Sequence, residues 1–305
     1  MTKHRPHILL IFIDGVGVGR RDARSNPFAS ARLHGFKTAG GGMIPFTRNA
    51  HHATDSSSVT SLNATLGIAG LPQSGTGQSA LVTGLNTPKL IGKHFGPYLF
   101  SSLKPVVSRD NIFRRLREIG RRPYYANAYP HQYFEYLTAH RRVTVLPFAW
   151  MESGYALNDY KILDTGRALS ADITNERWHR LGYPALPVIT PNDAGKRLGA
   201  LAGEYDFILF EFFDTDHAGH RQQMHEAIHT LEKVDEMIAG VLDSINPERT
   251  LLLVTSDHGN IEDLSTKSHT RNPVPLFAFG THHHTMTNNV KMLTDVTPAI
   301  IELMK

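Results

Sequence analysis

The chain has 305 residues, 41% of them hydrophobic, a formal net charge of +4 and no cysteine. This length and composition suit a globular protein with a sizeable core, and the small charge without a basic stripe argues against a nucleic-acid partner. Without cysteine there is no disulfide and no thiolate metal site, so any metal must be held by carboxylate, imidazole or hydroxyl groups. No apolar stretch reaches the roughly 20 residues of a membrane span, and the N-terminal apolar run ends at Asp14 without a cleavage site. We therefore expect a cytoplasmic protein with no membrane partner.

Four short apolar runs predict buried strands, because they are too short for helices and rich in β-branched and aromatic residues. These runs are residues 7–13, 206–213, 250–257 and 274–280. Two further segments, 124–129 and 143–149, resemble shorter strands, and the polar segment 51–65 is typical of a loop.

Helical patterns lie between the predicted strands. Residues 108–120 are typical of a capped helix, residues 190–203 begin with Thr190 as N-cap and Pro191 at the first helical position, and residues 225–245 repeat apolar side chains every three or four positions. Alternating strands and helices predict an α/β fold with a mostly parallel central sheet and helices on both faces. We predict one domain over residues 1–305, with at most a small lid within the less regular segment 85–185.

Polar side chains lie directly at the ends of two predicted strands, those at 7–13 and 250–257. Asp14 ends the first strand in "FIDGVGVG", whose glycines lack the spacing of a nucleotide-binding loop. Asp257 and His258 end the strand at 250–257, and His269 follows eleven residues later. Because the carboxyl ends of parallel strands lie at one edge of a sheet, a ligand site is expected there.

The segment "FFDTDHAGH" adds a possible pair of metal ligands. Asp216 and His220 are four residues apart, so a helical conformation would direct both side chains towards one cation. Asp214 and His217 are alternatives within the same segment. Upstream, "LPQSGTGQSALVTG" combines hydroxyl groups with the start of a predicted helix, which indicates either a capped helix or a nucleophile beside an anion site.

Six motifs in order resemble the alkaline phosphatase superfamily of metalloenzymes, particularly its branch of cofactor-independent phosphoglycerate mutase and phosphopentomutase. They are "IDGVG", "PQSGTGQSALVTG", "DHAGH", "SDHGN", "SHTRNPVP" and "LTDVTPAIIELM". The resemblance implies an alkaline phosphatase-like fold, two divalent cations (Zn²⁺ or Mn²⁺) and a small phosphorylated substrate. The C/S-x-P-x-R pattern of sulfatases is absent.

The resemblance also implies the role of individual residues. Asp14, Asp257, His258 and the nucleophilic hydroxyl would bind one cation, and Asp216, His220 and His269 would bind the other. Counting eight residues back from Gly84 makes Thr76 the nucleophile, with Ser74 and Ser79 as alternatives, because the chain lacks the serine, acidic residue and "GH" of the mutases at this motif.

The expected reaction is phosphoryl transfer through a phosphothreonine. The mutases of this branch use a large cap domain to exclude water. The interval 85–205 must also supply core elements, so it is too short for such a cap and favours hydrolysis of a phosphate ester. A phosphomutase acting on a sugar or glycerate phosphate is the alternative, as is a metal-binding protein without this catalysis.

Overall fold

A computed structural model describes residues 5–140 and 142–305, and these residues contain a seven-stranded sheet. The strands are β1 (His7–Ile13), β2 (His52–Ala53), β3 (Ser57–Leu62), β4 (Pro123–Tyr125), β5 (Phe207–Phe212), β6 (Thr250–Thr255) and β7 (Val274–Gly280). Their order across the sheet is β2-β3-β7-β6-β1-β5-β4. The predicted α/β class is confirmed.

The central strand β1 pairs in parallel with both β5 and β6. Ile13 lies opposite Phe212 and Phe12 lies opposite Thr255, so the three strands end side by side. Strand β4 is parallel to β5, whereas β7 is antiparallel to both β6 and β3, and β2 is antiparallel to β3. Five of the seven strands therefore run in one direction, and the antiparallel pairings are confined to one side of the sheet.

Fourteen α-helices are found in the described part of the chain. They are α1 (His34–Ala39), α2 (Ser74–Thr83), α3 (Thr87–Ile91), α4 (Lys104–Arg109), α5 (Ile112–Glu118), α6 (His131–His140), α7 (Val145–Glu152), α8 (Tyr160–Asp164), α9 (Glu176–Arg180), α10 (Pro191–Leu201), α11 (Asp214–Arg221), α12 (Met224–Ser244), α13 (His283–Asn289) and α14 (Leu293–Met304). One packed group contains α1, α10, α11 and α12, and another contains α2, α4, α5, α7 and α14. None of the helices among the described residues is both long and apolar enough to cross a membrane.

Two predicted elements are wrong. The segment predicted as a loop at 51–65 contains β2 and β3, and β3 pairs along its length with β7. Its hydroxyl side chains find partners inside the protein: Ser58 Oγ donates to the carbonyl of His283 at 3.1 Å, so a polar sequence can fill an interior strand. The apolar segment at 143–149 is not a strand but the start of α7, because a short buried apolar run does not distinguish strand from helix.

The predicted helix at 190–203 begins as expected. Helix α10 starts at Pro191, and Thr190 Oγ1 accepts a hydrogen bond from the backbone N–H of Asp193 at 3.0 Å. A small second apolar cluster lies between β4 and α10. Its buried members are Ala128, Leu163, Ala168, Trp178 and Leu186. The single domain and the small lid stay predictions.

Helix α1 is attached to α12 by one buried carboxylate. Asp235 of α12 accepts hydrogen bonds from the backbone N–H groups of His34 (2.8 Å), Gly35 (3.0 Å) and Phe36 (2.8 Å). These are the first N–H groups of α1, which have no partner within the helix itself. Asp235 therefore caps α1 from a residue 199–201 positions away in the chain.

Replacing Asp235 by alanine should leave these three buried N–H groups without an acceptor. We expect Asp235→Ala to lower the free energy of unfolding by about 2–4 kcal/mol, since bonds to charged groups contribute about 1.5–3 kcal/mol each and are not additive. Urea denaturation followed by circular dichroism measures the change. The neighbouring Glu236→Ala removes an exposed carboxylate from the same helix and should change stability by less than about 0.5 kcal/mol. Equal effects of the two substitutions would contradict the capping role.

Candidate metal centre

Three side chains that follow β1 and β6 form a buried group suited to a cation. Potential ligand atoms of Asp14, Asp257 and His258 all lie within 4.8 Å of one another. His258 Nε2 is 3.1 Å from Asp14 Oδ1 and 3.8 Å from Asp257 Oδ2. These two carboxylate oxygens are buried and accept no hydrogen bond from the described residues. Such oxygens are costly to bury without a positive partner, which a protonated His258 or a bound cation would provide.

A second group lies against the first. Asp216, His258 and His269 again have ligand atoms within 4.8 Å of one another. Helix α11 carries Asp216 and His220 on one face, with His220 Nε2 3.2 Å from Asp216 Oδ2. His220 Nε2 is also 3.2 Å from His269 Nε2. The structure thus brings together six of the seven predicted ligands, and His258 lies between the two groups.

The seventh predicted ligand, Thr76, has its hydroxyl directed elsewhere. Thr76 Oγ1 lies 3.2 Å from the carbonyl of Gln73 and 3.4 Å from that of Phe95, and it accepts a hydrogen bond from the Phe95 N–H at 3.2 Å. The side chain is fully buried in these contacts. Its hydroxyl therefore ties α2 to the segment around Phe95, and in the described part of the chain it forms no hydrogen bond with the clustered carboxylates and imidazoles.

Ser74 supplies the hydroxyl that contacts the cluster. Ser74 Oγ lies 3.0 Å from His258 Nε2, whereas Ser79 Oγ donates to the carbonyl of Gly75 within α2. Ser74 is the first residue of α2, and Thr76 lies about 200° further around the helix axis, so the two side chains point to different sides. Close packing fixes this orientation: a Cβ at Gly77 would lie 2.9 Å from Asp257 Cβ.

The alternatives Asp214 and His217 lie outside both groups. Arg177 Nη2 is 2.7 Å from each carboxylate oxygen of Asp214. His217 Nδ1 is 3.8 Å from Asp214 Oδ1, and its side chain is more than half exposed. Asp214 therefore interacts with Arg177 of α9 and with His217 of its own helix, and not with the clustered residues.

Three polar residues beside the cluster were missed from the sequence. Gln78 Nε2 is 3.4 Å from Asp14 Oδ2, and Asn260 Nδ2 donates to Asp216 Oδ1 at 2.6 Å. Glu262 is the third, and it accepts hydrogen bonds from the backbone of the loops that carry the clustered residues. Gln78 and Asn260 lie within the motifs "PQSGTGQSALVTG" and "SDHGN", and Glu262 lies two residues past the second motif. Their polar side chains, in or beside these motifs, were the signal that the sequence offered.

Glu262 connects the loops that carry the clustered residues. Its buried carboxylate accepts hydrogen bonds from the backbone N–H of Gly17 at 2.9 Å and of Asn260 at 2.7 Å. It also accepts from the hydroxyl of Thr270 and from Asn272 Nδ2, the latter at 3.0 Å. The loops containing Asp14, Asp257 with His258, and His269 are thereby held by one side chain.

The electrostatics of the cluster depend on the crowding of carboxylates. Burial, followed by the nearby charge of Asp257, raises the pKa of Asp14 well above its usual value, and burial raises the pKa of Asp257. Burial alone would lower the pKa of His258, but the carboxylates of Asp257 and Asp14 outweigh it and raise that pKa to about 10. Burial and the charge of His258 lower the pKa of His269 to about 4. A protonated His258 thus supplies the positive charge that a divalent cation would replace.

The donor set fits divalent cations. Carboxylate oxygens and imidazole nitrogens are the ligands expected for Zn²⁺ or Mn²⁺ where thiolates are absent. The two groups at one sheet edge could hold two cations, with Ser74 beside them and the N-terminal end of α2 adding its partial positive charge. Such a site can bind and polarise an anionic oxygen ligand.

Replacing Glu262 should test the role of the connecting carboxylate, because it contacts no predicted metal ligand directly. We expect Glu262→Ala to weaken divalent-cation binding about 10- to 100-fold, as loss of groups that orient ligands does elsewhere. Isothermal titration calorimetry with Zn²⁺ or Mn²⁺ measures the affinity. Asp263→Ala removes the adjacent carboxylate, which accepts hydrogen bonds from the N–H and hydroxyl of Ser265, and should leave the affinity unchanged. An unaltered affinity in a folded Glu262→Ala protein would contradict the positioning role.

Comparisons with known proteins agree with this geometry. The model of the metalloenzyme superfamily matches residues 195–305, which contain five of the clustered residues. The 2,3-bisphosphoglycerate-independent phosphoglycerate mutase 2 of Methanosarcina barkeri is 36% identical over 110 residues, which cover 34% of this chain and 21% of that protein. The match thus spans about a fifth of the length of that relative.

Two solved structures share the fold over nearly the whole chain. A protein from Pyrococcus horikoshii has a TM-score of 0.59 at 15% identity, covering 98% of this chain and 97% of its own. The alkaline phosphatase from the Antarctic bacterium TAB5 has a TM-score of 0.55 at 11% identity, covering 99% of both chains. The chain therefore has the alkaline phosphatase-like fold, and its residues 195–305 match the model of the metalloenzyme superfamily.

Proposed function

We propose that the protein transfers the phosphoryl group of a small phosphate ester, with two divalent cations as cofactors and Ser74 as the nucleophile. The observation that carries the proposal is the Ser74 hydroxyl, 3.0 Å from His258 Nε2, at the junction of two carboxylate–imidazole groups. Nucleophile and cation-binding residues are therefore adjacent, as phosphoryl transfer to a hydroxyl requires. Thr76, the hydroxyl predicted from motif spacing, is replaced in this proposal because its contacts are with Gln73 and Phe95.

The positions of the residues suggest a separate role for each group. Asp14, Asp257 and His258 would hold one cation, and Asp216, His220 and His269 the other. Zn²⁺ or Mn²⁺ bound there would supply Lewis acidity, which lowers the pKa of a hydroxyl and neutralises charge on phosphoryl oxygens. Ser74 Oγ then forms a bond to phosphorus as the bond from phosphorus to the ester oxygen breaks, and the leaving alcohol takes up a proton. Attack of a water oxygen on the phosphoserine releases phosphate and restores the serine hydroxyl.

Hydrolysis is favoured over transfer to a second alcohol. The interval between α3 and α10 contributes β4 to the sheet and α4, α5 and α7 to the packed helices, which leaves α6, α8 and α9 as the helices available for a small lid. A retained alcohol competes with water only when it is held in attack geometry, where effective molarities reach about 10⁵ M or more. A phosphomutase is the second candidate, favoured by the names of the relatives that match part of the chain.

Substitution of the two hydroxyl residues separates their roles. We expect Ser74→Ala to lower kcat for an aryl phosphate by about 10³-fold or more without loss of bound metal, because the remaining ligands are intact. Thr76→Val should retain turnover within about tenfold and lower the free energy of unfolding by about 1–3 kcal/mol, because the N–H of Phe95 loses its acceptor. Metal analysis and steady-state kinetics provide the readouts. Loss of turnover in Thr76→Val with normal turnover in Ser74→Ala would restore Thr76 as the nucleophile.

The fate of the phosphoryl group distinguishes the two candidate reactions. Sugar phosphates and phosphoglycerates would be incubated with the metal-loaded protein in ¹⁸O-labelled water. Hydrolysis places one labelled oxygen in each released inorganic phosphate, measured by mass spectrometry. An isomerised phosphate ester without free phosphate would identify a mutase and reject the hydrolase assignment. The Ser74→Ala protein serves as the control for contaminating phosphatases.

A further inference from the structure

A cavity of about 1040 Å³ lies beside the loop that leads from β1 to β2. The lining residues lie in three parts of this loop, within 20–22, within 28–37 and within 42–49, and Lys37 is the lining residue that belongs to α1. None of the clustered carboxylates and imidazoles of the candidate metal centre is among the lining residues. The cavity is therefore a different place in the molecule, and its size is at the upper end of the roughly 300–1,000 Å³ of small-molecule sites.

The charges around the cavity are unbalanced. The basic side chains are Arg20, Arg21, Lys37 and Arg48, and the one acidic side chain is Asp22, so the lining carries a net charge of +3. Within residues 5–140 and 142–305, the salt bridges involve none of these four basic residues. Like charges gathered around a concave surface produce a positive potential that attracts anions.

The floor of the cavity is apolar. Among the lining residues, Phe28, Leu33 and Ile44 are buried, and Met43 and Phe46 are partly exposed. The guanidinium of Arg21 lies 5.8 Å from the ring centroid of Phe46, so a cation and an aromatic face meet at the rim. This combination suits a ligand that has both an acidic group and an apolar body.

The loop around the cavity is held by hydrogen bonds. The buried Asn26 donates to the carbonyl of Arg20 at 2.8 Å and accepts from the backbone N–H of Phe28 at 3.0 Å. The backbone N–H of Thr47 donates to the carbonyl of Gly19 at 3.0 Å, which joins the third part of the lining to the first. A lining fixed in this way needs little ordering on binding, which favours affinity.

We propose that this cavity binds a small amphipathic anion, in which one acidic group is attached to an apolar chain or ring. The acidic group contacts Arg21 and Arg48, and the apolar body lies on Phe28, Leu33 and Phe46. The proposal does not rest on the phosphoryl-transfer chemistry, because no residue of the metal centre takes part.

The binding test uses sulfonates, which contain no phosphate ester that the metal centre could turn over. Isothermal titration calorimetry of the metal-loaded protein would compare hexane-1-sulfonate with methanesulfonate and hexan-1-ol. Hexane-1-sulfonate should bind at least tenfold more tightly than either, because methanesulfonate lacks the apolar chain and hexan-1-ol lacks the acidic group. Naphthalene-2-sulfonate replaces the chain by a ring, and the tighter of the two larger sulfonates identifies the kind of apolar body.

Matched variants locate the site. Arg21→Gln combined with Arg48→Gln should weaken hexane-1-sulfonate binding about tenfold, and added salt should reduce the difference. Arg24→Gln combined with Arg32→Gln removes the same charge from exposed arginines of the same region that do not line the cavity, and should leave binding unchanged. Equal weakening in both double variants, or equal binding of hexane-1-sulfonate and methanesulfonate, would overturn the proposal.

Discussion

The parallel pairing of β1 with β5 and β6 is the constraint on which the candidate metal centre depends. Because the three strands end in register, the residues that follow them emerge at one edge of the sheet. Asp14 and Asp257 thereby lie close together in a buried place, where two like charges raise each other's cost of ionisation. His258 offsets that cost between them, and a divalent cation would offset it more fully.

The loops at this edge are ordered by side chains that are not among the candidate metal ligands. Glu262 accepts hydrogen bonds from the backbone of Gly17, in the turn after β1, and of Asn260, in the loop after β6. Asn260 in turn donates a hydrogen bond to Asp216. Close contact between Gly77 and Asp257 sets the distance at which α2 approaches. The ligand groups are therefore positioned by a hydrogen-bonded frame, which is the arrangement that metal sites require for selective binding.

The parallel strands lie next to the candidate metal centre, whereas the antiparallel strands lie next to the helix that contributes to the basic cavity. The parallel side, formed by β1, β4, β5 and β6, presents the carboxylates and imidazoles at its edge. The antiparallel side, with β3 and β7, packs against α1, and α1 supplies Lys37 to the basic cavity. Asp235 joins α1 to α12, so the cavity wall is attached to the same helical group that contains α11 with Asp216 and His220.

The sequence by itself determined the apolar strands β1, β5, β6 and β7 and the long helix α12, because each depends on a local pattern. Motif resemblance, rather than local pattern alone, selected the six clustered residues. The polar strand β3 was not predictable in this way, since its hydroxyl groups are satisfied only by partners such as the carbonyl of His283, 225 residues away. The position of the hydroxyl proposed as nucleophile was equally undetermined: Ser74 and Thr76 belong to one motif, and counting residues selected Thr76 with Ser74 as an alternative. Only the tertiary structure distinguishes the surroundings of the two hydroxyls, because the rotation of α2 places Ser74 against His258, 184 residues away, and Thr76 against Phe95.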